Sequence, residues 1–549
     1  MDNIVENQEL TYQETVTTFE EEQQNNVKNG KKRFKKVIIL GLSVLSLLLI
    51  VTIVLTMVYF KSTPAFKCLY MKDNKVYVYN SFNQKSQELT TKLTNKEELT
   101  GDFLDDKHIV FSVPTDAYTH SIYSDLKDLY ISKNNEENTQ IDSRVKNINV
   151  CKKEKCIYYL CFDNVDDDES GVLKKYDLNK NATISTQVKS YIVSQDQKRV
   201  FYIRTDGDLF IYENGKKFRI ANNVKSDSNI CNIFTIKDHL YYTDDKNTLY
   251  VFNCVDKTNI KICDDFMYLI STYDNGHMYY VAGTEHDAEE KLYKQKVYYY
   301  DSNEVYPVSN EFIEDDSYNL YYFSSSYANE KPMAAFTVKT KDNKDQICVA
   351  YGKETINTDI IEEDIIDMEL NSKKEVLYYS TAIKGNKFNV KLYSVKISDK
   401  TFSKAALYDE NIYSFDIMQN SVVFYKNVSM DRAEFIGDLY VDKKPVDYDV
   451  IVYSDECLND SEGILYASNY DNKTVTLNLY KDDEITIISD NVCEDDIKVL
   501  SNENIVYKTR QGYKKGKVYY NLYLFDGKKS TLIESSISEL ISVYDSKAE

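Results

Sequence analysis

A short phrase recurs along this chain and constrains its fold more than any other feature. It is a strand-like run that ends on an aromatic residue: IVF at Phe111, IYY at Tyr159, VFY at Tyr202, LYY at Tyr242, MYY at Tyr280, LYY at Tyr322, LYY at Tyr379, VFY at Tyr425, ILY at Tyr466 and IVY at Tyr507. The steps between these residues are 48, 43, 40, 38, 42, 57, 46, 41 and 41, with a mean of 44. A second motif follows in most units: DLY at Tyr130, KKY at Tyr176, DLF at Phe210, TLY at Tyr250, KLY at Tyr293 and Tyr393, DLY at Tyr440, and NLY at Tyr480 and Tyr523. The unit after Tyr322 lacks a clean copy, and KVYVYN near Tyr79 reads as an earlier, partial unit.

Turn residues such as TDDKN, RTDGD and SNYDNK separate the two motifs, and Asp206-Gly207 is a strong short-hairpin signal. A further turn, a β-branched stretch (IKIC, KKFRI, EITII) and an Asp/Asn-rich link complete each unit. No segment after the first 60 residues keeps a helical period. Three or four strands in about 40–50 residues is the length of a propeller blade. The doublet supports this. A half-wet antiparallel strand alternates apolar and polar residues, whereas Leu240-Tyr241-Tyr242 is apolar on both faces, as a strand packed between two sheets can be. Tyr241 and Tyr242 are therefore expected to face opposite neighbouring blades.

The expected fold class is all-β, a β-propeller of about ten four-stranded blades. Ten units, or eleven with the partial one, exceed the usual 4–8 blades of a ring, so the reading is two rings, residues 61–320 and 321–549. The 57-residue step places their boundary within 310–370. An open β-solenoid is the competing architecture, but solenoid coils are usually shorter. The phrase "hYY…turn…LY" resembles the Tyr-rich, TolB-like β-propeller ectodomains of clostridial (Firmicutes) membrane proteins, over most of residues 68–549. The resemblance implies a fold and no activity, and no site residues come with it. WD-type propellers differ, because this chain has no Trp.

Val37 to Phe60 is a run of 24 residues without a charge. As a helix it would measure about 36 Å, enough to cross a hydrocarbon core of roughly 30 Å. It is longer than a signal peptide's apolar region, and no small-residue cleavage site follows it. Lys31, Lys32, Arg33, Lys35 and Lys36 precede it, against Lys61 and Lys67 after it. The positive-inside rule then gives a single-pass signal-anchor at the cell membrane, with residues 1–36 a disordered cytoplasmic tail and the remainder extracellular. The net charge of −21 argues against a nucleic-acid partner.

Signatures of chemistry are sparse. VCKKEKCIYYLC, with Cys151, Cys156 and Cys161, has gaps of four and four and no His nearby, which is not zinc spacing. A Cys151–Cys156 bridge across a hairpin is one reading, and buried apolar cysteines the other. Asp166 to Asp177 (DDDESGVLKKYD) resembles an EF-hand calcium loop, with Asp166, Asp168, Ser170 and Asp177 as ligands. Against that reading, Asp stands at the twelfth position where Glu is usual, and strands flank the loop. A solvated hairpin loop is the alternative. The five histidines form no metalloprotease motif, and no nucleophile elbow or phosphate loop occurs. With 88 acidic residues, no single carboxylate pair stands out. His277, His286 and Glu285 lie in or beside GTEHDAEE, which reads as a solvated loop. The expected role is a membrane-anchored binding or scaffolding module in the cell envelope, with envelope proteins or glycans as partners. An envelope glycan hydrolase or lyase using channel carboxylates, and a signal-sensing ectodomain, are the alternatives.

Overall fold

The computed structural model describes residues 66–89, 99–115, 126–133, 138–162, 170–224, 233–287, 292–310, 312–315, 323–325, 331–339, 344–359, 361, 363–398, 401–418, 420–431, 434–458, 463–471, 474–501, 503–514 and 517–545. The anchor and tail, residues 1–60, lie outside them. Everything from Phe66 onward forms one compact unit.

Among the described residues the strands fall into eleven antiparallel groups of four principal strands, ten of them running in chain order from one edge to the other. The first strands of neighbouring groups approach one another, as Ile365–Asn371 does to Ala406–Met418, which makes them the inner strands. Each recurring doublet within the described residues sits on a second strand, between an inner strand and a third one: Cys156–Cys161, Arg199–Arg204, His239–Thr243 and Ile505–Lys514 are examples. The partial unit at KVYVYN is completed by the far end of the chain. Glu539–Asp545 pairs antiparallel with Phe66–Lys72, so the last strand is the inner strand of the first blade.

Packing follows from the alternation of side chains along each second strand. Leu69 and Phe111 share a buried core between blades one and two, Val110 and Tyr159 between two and three, Tyr158 and Tyr202 between three and four. Phe201 meets Tyr242, Tyr241 meets Tyr280, and Tyr279 meets Phe336 across the next three interfaces. The series continues through Ala335 with Tyr379, Tyr378 with Phe424, Tyr425 with Tyr466, and Leu465 with Tyr507. It returns to its start where Val506 of blade eleven shares a core with Tyr70 of blade one. Tyr241 and Tyr242 do face opposite neighbours. No sheet closes on itself by hydrogen bonds; the closure is face to face.

This packing does not divide where two rings were expected. Within 310–370, blades six and seven share the core around Tyr279 and Phe336, and blades seven and eight the core around Ala335 and Tyr379. The step that suggested a boundary was measured from Tyr322, which lies outside the described residues. The second strand of blade seven is instead Met333–Lys339, MAAFTVK. Its Phe336 lies 56 residues after Tyr280 and 43 before Tyr379, so the long step precedes blade seven. A second strand must be apolar on both faces, and Ala335 with Phe336 satisfies this without a tyrosine.

Register explains the second motif. In seven blades the aromatic of the second strand stacks on one directly opposite in the third: Tyr70 on Tyr77, Tyr202 on Phe210, Tyr242 on Tyr250, Tyr280 on Tyr298, Tyr379 on Tyr393, Phe424 on Tyr440 and Tyr507 on Tyr523. Such cross-strand aromatic pairs are favourable units of sheet stability. Tyr293 is not one of them. It lies opposite Glu285 in the long hairpin of blade six, and Tyr298 takes the stacking place.

Turns between units use left-handed backbone. Residues with positive φ mark the crossings from one blade to the next: Arg144, Gln187, Asn411, Asp449, Asn491 and Ser536. At three crossings a single 13-residue strand (Thr139–Cys151, Asn181–Val193 and Ala406–Met418) is the outer strand of one blade and the inner strand of the next. Asn214-Gly215, with both residues at positive φ, makes a two-residue hairpin of the type that matches strand twist.

Candidate functional site on the inner strands

Several charged side chains lie on the inner strands, Asp102 of blade two and Glu539 of blade one among them. The inner strands of blades three and four carry Lys146 and Lys189, while those of blades eight to ten carry Asp367, Glu369, Asp416 and Asp455. In a cycle of eleven these two arcs lie about half a turn apart.

The acidic arc is built by strand periodicity. Met368 and Leu370 of Ile365–Asn371 point into the core shared with blade seven. Asp367 and Glu369, two residues apart, therefore share the other face, toward blade nine. There the Ile417 N–H of the next inner strand donates to Glu369 Oε2 at 2.6 Å. Asp416, the residue before Ile417, brings a second carboxyl near enough to act on Glu369 electrostatically. Two carboxyls that close cannot both ionise at neutral pH without strong repulsion. Partial burial and then the Asp416 charge push the Glu369 carboxyl up to about 8, so it holds a proton at pH 7. Asp367 is raised by the walls around it and by Asp416, although its side chain is open to water. Asp455, raised chiefly by burial, accepts a hydrogen bond from the Tyr425 hydroxyl, which opposes the shift. The Tyr425 ring meets that of Tyr453, which is largely exposed. Among the described residues no Lys or Arg forms an ion pair with any of these four carboxyls. The arrangement can hold and release a proton near neutral pH, and it presents negative charge to a cationic group.

The sequence-derived calcium ligands do not assemble. Asp166 and Asp168 lie outside the described residues. Ser170 and Asp177 flank the extended strand Gly171–Tyr176, about 20 Å apart at the rise of a β-strand. A calcium ion whose ligands lie at about 2.3–2.6 Å cannot bridge them. The Asp177 carboxylate instead accepts the Asn179 and Lys180 N–H groups of a turn. The second half of the segment whose spacing looked like a coordination loop is the strand Gly171–Tyr176. Among the described residues no group of three metal-ligating side chains occurs elsewhere.

Glu285 and His286 also differ from expectation, since Met278–Asp287 is a strand paired to residue 287. His277 sits in the turn before it. Its Nδ1 is 2.5 Å from the Tyr299 hydroxyl, and burial lowers its pKa, so it is neutral at pH 7. The inner-strand acids escaped the sequence reading because most of the other acids are solvated. The available signal was a carboxylate pair at a spacing of two inside an otherwise apolar strand, IIDMELN.

The fold and the inner-strand arrangement define the class of this protein as a β-propeller with repeated blades. No protein family and no curated protein matches the chain. Among solved structures it is similar to the tricorn protease, with 13% identity over 88% of this chain and a TM-score of 0.29. The chain spans 57% of that protein's length. It is also similar to the β-propeller domain of the Trilobed protease from Pyrococcus furiosus, with 11% identity over 64% of this chain and 98% of that one, at a TM-score of 0.25.

Proposed function

We propose that this chain is a single-pass membrane protein, anchored through residues 37–60 with its N-terminus in the cytoplasm, whose extracellular propeller is a binding or scaffolding module of the cell envelope. The likeness of its repeats to Tyr-rich, TolB-like clostridial ectodomains supports that placement. The observation that carries the binding role is the arc of Asp367, Glu369, Asp416 and Asp455, none of which pairs with a Lys or Arg among the described residues. Acidic groups left without cationic partners on a rigid ring suit a basic segment of an envelope protein or an amino-bearing glycan, through charge complementarity that salt would weaken. The test is binding of the purified protein to oligolysine and to amino-bearing glycans at low and physiological salt, compared with the Asp367→Asn/Glu369→Gln/Asp416→Asn variant. Equal binding by both proteins would refute the assignment.

Cleavage of envelope glycans is the second reading, favoured by one observation: a carboxyl with a raised pKa beside a second carboxyl is the arrangement of an acid–base pair. Glycosidase carboxyls stand about 5–5.5 Å or 6.5–9.5 Å apart across the scissile bond, and glycan binding without turnover would count against this reading. Turnover of any envelope glycan by the wild type but not by Glu369→Gln would support it.

A further inference from the structure

Strand geometry separates the described cysteines into different cores. Among the described residues, Cys68, Cys161, Cys254 and Cys348 are each the one cysteine of a different interface between blades. Cys151 and Cys156 share one, the core between blades three and four. They are also directly opposed across the first hairpin of blade three, as the pair that closes the Lys152–Lys155 turn. Both side chains therefore lie on the same face of that hairpin. Cys161 is close in sequence but cannot compete. It lies five residues along the same strand from Cys156, an odd spacing that puts it on the opposite face, where its thiol contacts Asp142 and the Ser143 carbonyl.

We propose that Cys151 and Cys156 form a cross-strand disulfide in the oxidised protein. Directly opposed strand residues have Cβ atoms about 4.5–5.5 Å apart, and a disulfide requires roughly 3.5–4.5 Å, so only a small closure of the hairpin is needed. In the reaction each Sγ–H loses its hydrogen and the Sγ–Sγ bond forms. The two electrons and two protons pass to a disulfide oxidant, which is reduced to two thiols. The Lys175 ammonium lies near both sulfurs, over the Tyr158 ring, and favours the attacking thiolate. The bond would tie the inner strand of blade three to its second strand. At that place Thr139–Cys151 has just crossed from one blade to the next without a break in pairing. Burial of both side chains favours bond formation during folding over later attack by bulky reagents.

The experiment uses the full-length chain, prepared once with oxidised glutathione present during folding and once with reductant. Thiols are alkylated in denaturant and the protein is then digested with trypsin. Trypsin cuts after Lys152, Lys153 and Lys155, and a second digestion with chymotrypsin cuts after Tyr158 or Tyr159 and separates Cys156 from Cys161, so only a Cys151–Cys156 bond then holds the two flanking peptides together. The expected result is one linked pair lighter by two hydrogens, abolished by reductant, with eight of the ten cysteines alkylated against ten in the reduced sample. Cys161→Ser should leave the link intact, and Cys156→Ser should abolish it. Ten alkylated thiols in the oxidised sample, or a link from Cys151 to any other cysteine, would overturn the proposal. If a serine variant fails to accumulate, the oxidised wild type alone decides the matter.

Discussion

The stacked pair of Tyr242 and Tyr250 gives the sharpest test of the packing scheme. Tyr242 is 1% exposed, its ring centre 5.2 Å from that of Tyr250 at an interplanar angle of 12°. Its hydroxyl accepts a hydrogen bond from Asn259 Nδ2 at 2.5 Å. Tyr242→Ala removes a buried ring and should cost about 3–5 kcal/mol, as other aromatic-to-alanine core changes do. Tyr242→Phe keeps the ring and gives up only the hydroxyl's bond, at about 1 kcal/mol. Stacking predicts a coupling of about 0.5–1.5 kcal/mol between Tyr242→Ala and Tyr250→Ala in a double-mutant cycle. Tyr280 serves as the control, because it packs on the other face of the same blade. Sheets packed face to face lie about 10 Å apart, so Tyr250→Ala and Tyr280→Ala should be additive within about 0.5 kcal/mol. The assay is urea denaturation followed by circular dichroism. Coupling that is absent for the stacked pair, or as large across the blade as within it, would refute the assignment of the doublet to two separate interfaces.

Other perturbations follow from the same structure. The raised Glu369 carboxyl binds its proton more tightly in the fold than in the unfolded chain, so its contribution to stability is complete below about 4.5 and is lost as pH rises through about 8; Glu369→Gln should flatten the thermal midpoint between pH 5 and 9, and an unchanged slope would count against the raised pKa. Lys508 is 5% exposed and pairs with Asp496 at 2.5 Å. Lys508→Ala should cost about 3–5 kcal/mol by stranding that carboxylate, and Lys508→Ala/Asp496→Ala measurably less, both read from urea midpoints. A Cβ on Gly283 would lie 2.6 Å from the Lys294 carbonyl oxygen of the paired strand, so Gly283→Ala should lower stability by about 1–3 kcal/mol in thermal melts.

Much of the fold was legible because it is repetitive. A strand buried on both faces must be apolar at successive positions, and that local requirement printed Leu240-Tyr241-Tyr242 and its counterparts into the sequence at blade spacing. The unit at KVYVYN was legible for the same reason. Blade seven was misplaced because its second strand meets the requirement with Ala335 and Phe336, and a search for tyrosine passes over it. The carboxylates were hidden for a different reason. Asp367 and Glu369 are unremarkable among 88 acids until Asp416 and Asp455, up to 88 residues further on, are brought beside them.

By itself, then, the sequence determined the all-β class, the blade length, the two-faced second strands and the faces toward which Tyr241 and Tyr242 point. These depend on side-chain alternation within a few residues. Tertiary structure decided what depends on closure. The pairing of Glu539–Asp545 with Phe66–Lys72 joins segments at opposite ends of the chain. The unbroken cycle of eleven cores, with no division near residue 320, follows from how each sheet meets the next. So does the raised pKa of Glu369, which comes first from burial and then from the Asp416 charge on the next inner strand. Local patterning records how each strand is covered, but not which distant strand covers it.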